Sequence, residues 1–359
     1  MKSDFANDYY LFLLSKISGL SSRVIIALLQ KFGSPKKLYQ QVLANPQILD
    51  NKISRFIQDK NFVLATKKSF ETLAENYITI VDPLYPQNLK NIYDPPLFLF
   101  YRGNINLLKN KYLITVVGSR ITTDYHRNIV KNIFRQLQNT PLIIVSGLAV
   151  GIDTFSHRQA LDNNLPTIAV LGSGLSKYVL YPQENIDLAQ EIINKGGLLI
   201  SEQSARTKTQ LYHFPKRNRI LAGLSKATVV ISGAQKSGTL ITAQVAIDEG
   251  REVLALPGNV NLRLSQGPNK LIKEGAGIID SAEDIFRIYN IDKHIKTTKI
   301  VFKNKHHAKI YSLLQTESIN LVDLATRLNM PLAKINILIS EMEVRGIIKL
   351  NNLNQLEII

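Results

Sequence analysis

Cysteine is absent from the 359-residue sequence. Its absence excludes disulfide bonds, thiolate metal sites and cysteine nucleophiles, and nothing points to an oxidising compartment. Long apolar runs are also absent, so no segment approaches the length needed to span a bilayer. The stretch from Met1 to Leu14 lacks the basic start and the small-residue cleavage site of a signal peptide. We therefore expect a cytoplasmic protein without a membrane segment.

Acidic residues are few relative to basic ones. The chain has 28 Asp and Glu against 44 Lys and Arg, a formal net charge of +16. Such an excess attracts polyanions through counterion release, although charge alone does not establish binding. Nucleic acid is therefore the first partner to test. The composition, 45% hydrophobic and 20% charged, is typical of globular domains, and the length predicts two or three of them.

The first 80 residues show a helical pattern. Apolar residues from Tyr9 to Leu73 recur at helical spacing, with breaks at Gly19 and Gly33. We expect a small helical module over 1–80, of the SAM-like or helix-hairpin-helix type. The segment 17–33 resembles a helix-hairpin-helix, which holds DNA phosphates on backbone amides. A module that only packs against protein is an equally good interpretation.

The last 53 residues predict a winged-helix domain over 307–359. Three helical patterns are followed by two β-like runs: His307 to Leu314, Leu321 to Leu328, Pro331 to Arg345, Ile347 to Leu350 and Gln355 to Ile359. A lysine-rich stretch over 291–306 precedes them and indicates a basic linker. Because Glu341 and Glu343 lie on the helix that would meet DNA, we expect this domain to contact protein instead.

Between these parts, short apolar runs alternate with helical stretches. The runs are Tyr112 to Val117, Leu142 to Val145, Thr167 to Leu171, Leu198 to Ile200, Ala227 to Ile231 and Glu252 to Leu256. Helices of about three turns fit between most of them, which is typical of a parallel sheet covered on both faces. We therefore predict an α/β domain over 81–290 with a Rossmann-like, doubly wound, mostly parallel sheet.

Four glycine-containing turns each follow a predicted strand and precede a helix. They are Gly118-Ser119-Arg120, Ser146-Gly147-Leu148-Ala149-Val150-Gly151, Gly172-Ser173-Gly174 and Gly233-Ala234-Gln235-Lys236-Ser237-Gly238-Thr239. The carboxyl ends of parallel strands lie on one edge of the sheet, so these turns should converge. Glycine allows close backbone approach, and helix starts present free N–H groups. The sequence predicts an amide-lined anion site at this edge.

One aromatic ring and three cations follow the fourth main strand, in Phe214-Pro215-Lys216-Arg217-Asn218-Arg219. A ring that stacks on a base and cations that hold phosphates suit a nucleic-acid strand. The alternative is that Phe214 belongs to the core and the cations form a solvated helix face. Arg120, in the first turn, would add a fourth cation.

The same turns lack the groups that catalysis would need. The first turn has no Gly-x-Gly-x-x-Gly fingerprint, and Thr239 stands where a P-loop has lysine, so neither NAD nor ATP chemistry is supported. His157 and His213 lack partners at metal-ligand spacing, so hydrogen bonding is their expected role. Asp153 is expected to cap a helix. The sequence predicts no cofactor, no metal and no catalytic residue.

The motifs over 82–290 resemble those of the DNA-processing protein A (DprA/Smf) family. The matching residues are Tyr85-Pro86, Asp94-Pro95-Pro96, Gly118-Ser119-Arg120, Ser146 to Asp153, Gly172-Ser173-Gly174, Tyr181-Pro182, Asn185, Ser201-Glu202, Phe214 to Ile220, Ser237 to Ala243, Pro257-Gly258 and Gly267-Pro268-Asn269. The resemblance implies a homodimeric single-stranded DNA binder that helps to load the RecA recombinase in natural transformation. It also implies a helical N-terminal module and, in many members, a winged helix.

Two departures from the family pattern stand out. Gln203 to Arg206 replace a proline-rich turn, and Ser232 stands where an acidic residue is common. The runner-up interpretation is a nucleotide-phosphoribohydrolase-like enzyme, a related class whose glycine turn is followed by a catalytic glutamate. Here Leu240 to Ala243 follow the turn and include no glutamate. A third possibility is a protein adaptor whose basic charge is incidental.

Overall fold

The computed structural model describes residues 5–73, 75–292, 302, 304–314, 317–351 and 354–358. The chain divides into two compact units, Met1–Ile295 and Lys296–Ile359. The predicted boundary near residue 80 thus separates two packed parts of the first unit, and a separate helical domain there stays a prediction. Most of the predicted linker, residues 293–301 and 303, lies outside the described residues.

The helical module at the start of the first unit contains five helices: α1 Phe5–Ser15, α2 Ser22–Phe32, α3 Pro35–Ala44, α4 Asn51–Gln58 and α5 Lys60–Glu71. Local sequence explains the bounds of α2. The Ser21 side chain accepts a hydrogen bond from the Val24 N–H at the start, and Gly33 ends the helix with a φ of 87°. Serine is preferred at a helix start because its side chain accepts a hydrogen bond from a free N–H group. Glycine is preferred after a helix end because it adopts a positive φ without strain.

The rest of the first unit is built on nine strands, numbered in chain order: β1 Asn76–Thr79, β2 Phe98–Gly103, β3 Leu113–Val117, β4 Ile143–Ser146, β5 Thr167–Leu171, β6 Leu198–Ser201, β7 Ala227–Val230, β8 Glu252–Ala255 and β9 Gly277–Ile278. Eight helices accompany them: α6 Gln87–Lys90, α7 Asp124–Gln136, α8 Ile152–Asp162, α9 Ile186–Asn194, α10 His213–Leu224, α11 Gly238–Asp248, α12 Gln266–Lys273 and α13 Ala282–Tyr289.

The strands form a single mixed sheet in the order β1-β2-β6-β5-β4-β3-β7-β8-β9. Strands β3 to β9 pair in parallel, whereas β1 and β2 are antiparallel additions at one edge. The chain proceeds from β3 outward to β6 and then returns to the other side of β3 with β7. This reversal confirms the predicted doubly wound, Rossmann-like fold, and it creates a topological switch point beside β3.

Two buried apolar layers cover the two faces of the sheet, because successive strand residues point to opposite sides. Ile114 and Val116 of β3 pack with Phe134 of α7 on one face. Leu113 and Val117 of the same strand belong to the layer that contains Leu221 of α10. The Thr115 hydroxyl also faces α10 and donates to the Leu221 carbonyl at 2.7 Å.

The helical module covers the antiparallel edge of the sheet. Phe12 lies 5.6 Å from Phe98 and 5.3 Å from Phe70 between ring centroids, and Tyr77 lies 5.6 Å from Phe98. The Tyr77 hydroxyl donates to Asp8 at 3.2 Å. This aromatic contact explains why the module and the sheet form one unit.

The second unit contains α14 Lys305–Leu314, β10 Ile319–Asn320, α15 Leu321–Leu328, α16 Leu332–Val344, β11 Ile348–Leu350 and β12 Gln355–Ile358. Its strands pair antiparallel in the order β10-β12-β11, and it has a buried cluster of its own. The three helices and the last two strands follow the order expected from the sequence, β10 is an additional short strand, and the winged-helix assignment stays a prediction. None of the helices in the described ranges has the length and apolarity that a membrane crossing requires.

Candidate nucleic-acid interface

A cavity of about 440 Å³ lies at the switch point, on the edge of the sheet where the parallel strands end. We refer to it as the switch-point cavity. The turns after β3, β4 and β5 line it, together with the start of α11. Of the predicted site residues, it is lined by Gly118, Ser119, Arg120, Gly147, Gly172, Phe214, Arg217, Asn218, Ser237, Gly238 and Thr239. The topology of the sheet therefore brings these glycine turns together.

Ser119, at the centre of the first turn, makes its hydrogen bonds inside the protein. The Ser119 N–H donates to the Ser232 hydroxyl at 3.0 Å, and the Ser119 hydroxyl accepts from the Ile121 N–H at 3.1 Å. The Ser119 carbonyl accepts from the Ile152 N–H, at the start of α8. Ser232, which departs from the family pattern, thus holds the first turn in place through its hydroxyl.

The second turn contains a buried carboxylate. Asp153 accepts from the Ala149 N–H at 3.4 Å, and the Arg217 guanidinium lies beside it. Burial raises the pKa of Asp153 from its usual value, while Arg217 and the turn amides oppose the rise. A Cβ at Gly147 would lie 2.1 Å from Arg217 Nη1. Glycine is required here by this internal pair, and the protein itself uses the N–H groups of Ser119 and Ala149 in the first two turns.

Five of the predicted site residues do not line the switch-point cavity: Ser146, Gly151, Gly174, Lys216 and Arg219. The buried Ser146 hydroxyl donates to the Val116 carbonyl at 2.7 Å. The Gly174 N–H donates to the Thr207 carbonyl. Gly151 has a φ of 90°, and a Cβ there would lie 2.4 Å from the Ser119 carbonyl oxygen. Gly151 is therefore needed because it adopts a backbone conformation that other residues rarely adopt.

The start of α11 is a part of the site that is open to an anion. Ser237 precedes the helix without a capping hydrogen bond, and its buried hydroxyl has no partner among the described residues. A Cβ at Gly238 would meet nothing within 4 Å. The first N–H groups of an α-helix have no partner within the helix and carry a partial positive charge. An oxyanion can therefore be bound by these amides and the Ser237 hydroxyl.

An aromatic and cationic wall faces the cavity. Phe214 is partly buried, and its ring centroid lies 5.6 Å from that of Tyr181 with planes tilted by 59°. The Arg120 guanidinium lies over the Phe214 ring, 5.9 Å from the centroid. Sequence reasoning missed Tyr181 as a site residue. The available signal was an aromatic residue beside a proline in the loop after the third glycine turn.

The three cations of α10 divide between two directions, with Arg217 on one side and Lys216 and Arg219 together near Glu202. Arg217 is buried, and its Nη1 donates to the Gly147 and Val170 carbonyls, both at 2.6 Å. Arg219 lies on another face and contacts Glu202 at 2.6 Å, as well as Asp94. Lys216 lies 3.5 Å from Glu202. The expectation that all three hold phosphates in one site therefore does not match their positions.

Arg120 is the cation that remains exposed at the cavity. Within the described parts of the chain, no carboxylate oxygen lies within 4.0 Å of its guanidinium. Arg217 nearby is also positive, and Arg120 contributes to lowering the pKa of Arg217, although burial is the larger cause. The cavity mouth thus carries a positive charge that a ligand anion can neutralise.

The two histidines make internal hydrogen bonds. His157 is fully buried, with Nδ1 2.7 Å from the Thr167 hydroxyl. Burial, with a contribution from Arg217, lowers the pKa of His157 to about 3, so its ring is neutral at physiological pH. Nδ1 of His213 accepts from the Gln210 N–H at 3.2 Å. Both contacts agree with the hydrogen-bonding role expected from the sequence.

Comparison with known proteins places this site in a family. Residues 76–290 match the family model described as DNA recombination-mediator protein A. The chain is 42% identical over 238 residues to the DNA processing protein DprA of Bacillus subtilis. The aligned region covers 66% of this chain and 78% of that protein.

Two solved structures are also similar. DprA from Streptococcus pneumoniae matches with a TM-score of 0.66 and 35% identity, over 80% of this chain and 98% of that one. DprA from Helicobacter pylori, whose structure describes a single-stranded DNA binding mode, matches with a TM-score of 0.54 and 27% identity. The match covers 62% of this chain and 99% of that one. The chain described here belongs to the DNA recombination-mediator protein A family, also known as DprA/Smf.

Proposed function

We propose that the switch-point cavity binds the backbone of single-stranded DNA, and that this protein is a binding module without catalytic activity. The observation that carries the proposal is the unpaired Arg120 above the Phe214 ring, opposite the open start of α11. A cation, aromatic rings and helix amides recognise phosphates and base faces without reading a sequence. The Helicobacter pylori relative, described by its single-stranded DNA binding mode, supports the same ligand.

The positions of the carboxylates favour binding over hydrolysis. Asp153 is buried between turn amides and Arg217, and Glu202 contacts Arg219 at 2.6 Å. A general base must reach the proton that it removes, and both groups are already engaged by the protein. The residues after Thr239 add no carboxylate through Gln244. Turnover of ATP or of a nucleoside monophosphate that disappears in Asp153→Asn would instead support the phosphoribohydrolase-like alternative.

Family membership supports the cellular part of the proposal. We infer that the protein protects incoming single-stranded DNA during natural transformation, promotes loading of the RecA recombinase, and acts as a homodimer in the cytoplasm. The second unit would serve a protein contact. Its helix α16 exposes Ile337 by 62% and Val344 by 89%, which suits an apolar protein surface better than a phosphate.

The test is a fluorescence-anisotropy titration with a labelled oligothymidylate and with a duplex of the same length. We expect the single strand to bind far better, with a log–log salt slope that steepens by about 0.7 for each phosphate that the protein neutralises. Arg120→Ala should weaken binding, whereas Arg135→Ala removes an exposed arginine elsewhere, on α7, and should not. Equal affinity for duplex, or equal behaviour of the two variants, would refute this assignment.

A further inference from the structure

A second cavity, of about 530 Å³, lies between the helical module and the antiparallel edge of the sheet. We call it the edge crevice. The module contributes Phe12, Lys16 and the start of α2 from Ser21 to Arg23. The sheet side contributes Tyr93, Asp94, Phe98, Glu202 and Lys216, among others. This crevice includes part of the segment 17–33 that resembles a helix-hairpin-helix, and the proposed function leaves it without a role.

The edge crevice opens on the same edge of the sheet as the switch-point cavity. Phe100 pairs with Ser201, so Phe98 lies beyond the carboxyl end of β6, next to Glu202. Neighbouring strands lie about 4.8 Å apart, which places β2 about 10 Å from β5 along this edge. Helix α10 borders both cavities, with Phe214 at the first and Lys216 at the second. A strand about three nucleotides longer, at about 3.4 Å each, would reach from one cavity to the other.

Positive charge dominates the crevice once its internal ion pairs are considered. Glu202 and Asp94 are balanced by two cations, because Arg219 lies 2.6 Å from Glu202 and 3.4 Å from Asp94, and Lys216 lies 3.5 Å from Glu202. Lys16 and Arg23 have no carboxylate oxygen within 4.0 Å in the part of the chain that the structure describes. Burial lowers the pKa of Lys16, and the nearby ammonium of Lys216 lowers it further, whereas the Glu202 carboxylate raises it. Lys16 and Arg23 therefore supply this crevice with two cations that have no ion-pair partner among the described residues, which favours a bound phosphate.

An exposed ring accompanies these cations. Tyr93 is 70% exposed, and the Arg23 guanidinium lies 4.8 Å from its ring centroid. Unpaired bases stack on aromatic rings and on arginine planes, and such stacking tolerates any base. The start of α2, with its positive dipole end, borders the same space. The crevice thus combines cations with an exposed ring, on the same edge of the sheet as the switch-point cavity. These are the groups that bind the phosphates and bases of a single nucleic-acid strand.

We propose that the edge crevice is the second part of a continuous single-stranded DNA path, which takes the strand as it leaves the switch-point cavity. This inference rests on the proposed function of that cavity. Lys16 and Arg23 neutralise two further phosphates, and Tyr93 with Arg23 stacks a base. Short oligonucleotides occupy the switch-point cavity alone, and longer ones occupy both.

The test compares oligothymidylates of about 6 and about 20 nucleotides on the full chain. Lys16→Gln combined with Arg23→Gln should reduce the salt slope for the long strand by about 1.4, because two phosphates contribute about 0.7 each. The slope for the short strand should not change. The matched control, Lys36→Gln with Lys37→Gln, removes two exposed charges from α3 and should leave both slopes intact. Far-ultraviolet circular dichroism verifies that every variant is folded.

A second variant tests the stacking contact. Tyr93→Ala should weaken binding of the long strand by about 5- to 150-fold, the range for a lost base–ring stack, and Tyr93→Phe should restore it. If the crevice variants match the control on the long strand while Arg120→Ala weakens both lengths, the crevice proposal is overturned and the proposed function stands. If Arg120→Ala is silent and the crevice variants abolish binding of both lengths, the proposed function fails and with it the continuous path.

Discussion

Arg217→Met tests whether Arg217 serves the fold or the ligand. The side chain donates to the carbonyls that end β4 and β5, at 2.6 Å each, and lies beside the buried Asp153. Methionine fills similar space but leaves that carboxylate without its counter-charge. Removing one partner of a buried pair typically costs about 3–5 kcal/mol. At about 2 °C for each kcal/mol in a unit of this size, we expect a loss of about 6–10 °C in Tm.

The loss should depend on pH in a direction that identifies its cause. Burial raises the pKa of Asp153 and Arg217 opposes the rise, so Arg217→Met should raise it further. For an acid with a raised pKa in the folded state, stability is present below the unfolded value of about 3.9 and is lost as pH rises through the folded pKa. The deficit of Arg217→Met should therefore be small near pH 4 and grow towards pH 8.

The measurement is urea unfolding followed by circular dichroism from about pH 4 to 8, with Arg135→Met as the exposed control. The double variant Arg217→Met/Asp153→Asn should recover much of the lost free energy of unfolding, since it has no buried charge to compensate. If Arg217→Met is as stable as the control at every pH but loses single-strand affinity, Arg217 is a ligand cation and the structural assignment is wrong.

Three further outcomes can be measured. Phe214→Ala should weaken single-strand binding by about 1–3 kcal/mol, and Phe214→Trp should retain it, as titrations of the folded variants would show. Deletion of residues 300–359 should leave the affinity largely intact, because the second unit has its own buried cluster; a large loss would place DNA contacts there. His157 has a lowered pKa of about 3, so its contribution to stability is present above about pH 6.5 and is lost as pH falls. His157→Gln should therefore flatten acid unfolding by up to about 1.4 kcal/mol for each pH unit, and an unchanged acid limb would contradict this.

Sequence periodicity was sufficient to predict the parallel core of the sheet. The run from Thr167 to Leu171 coincides with β5, and the predicted and observed starts of β7 agree at Ala227. The antiparallel strands β1 and β2 were missed. Strand β1 has polar residues at both ends, Asn76 and Thr79, and β2 follows the Pro95-Pro96 pair, so neither shows the apolar run of the parallel strands. Their pairing depends on contacts with the helical module, such as that between Phe12 and Phe98, which local sequence does not encode.

One property of the candidate site could not be predicted from the sequence. Topology brings the glycine turns together, and that step follows from strand order alone. Whether a turn's amides are free depends instead on side chains from distant elements. Ser232, which follows β7, bonds the Ser119 N–H, and Asp153 takes the Ala149 N–H. Arg217 closes this arrangement from α10 because its guanidinium reaches two strand ends. These internal contacts leave Arg120 and the start of α11 available to an anion, and we therefore expect ligand contacts on that side of the cavity.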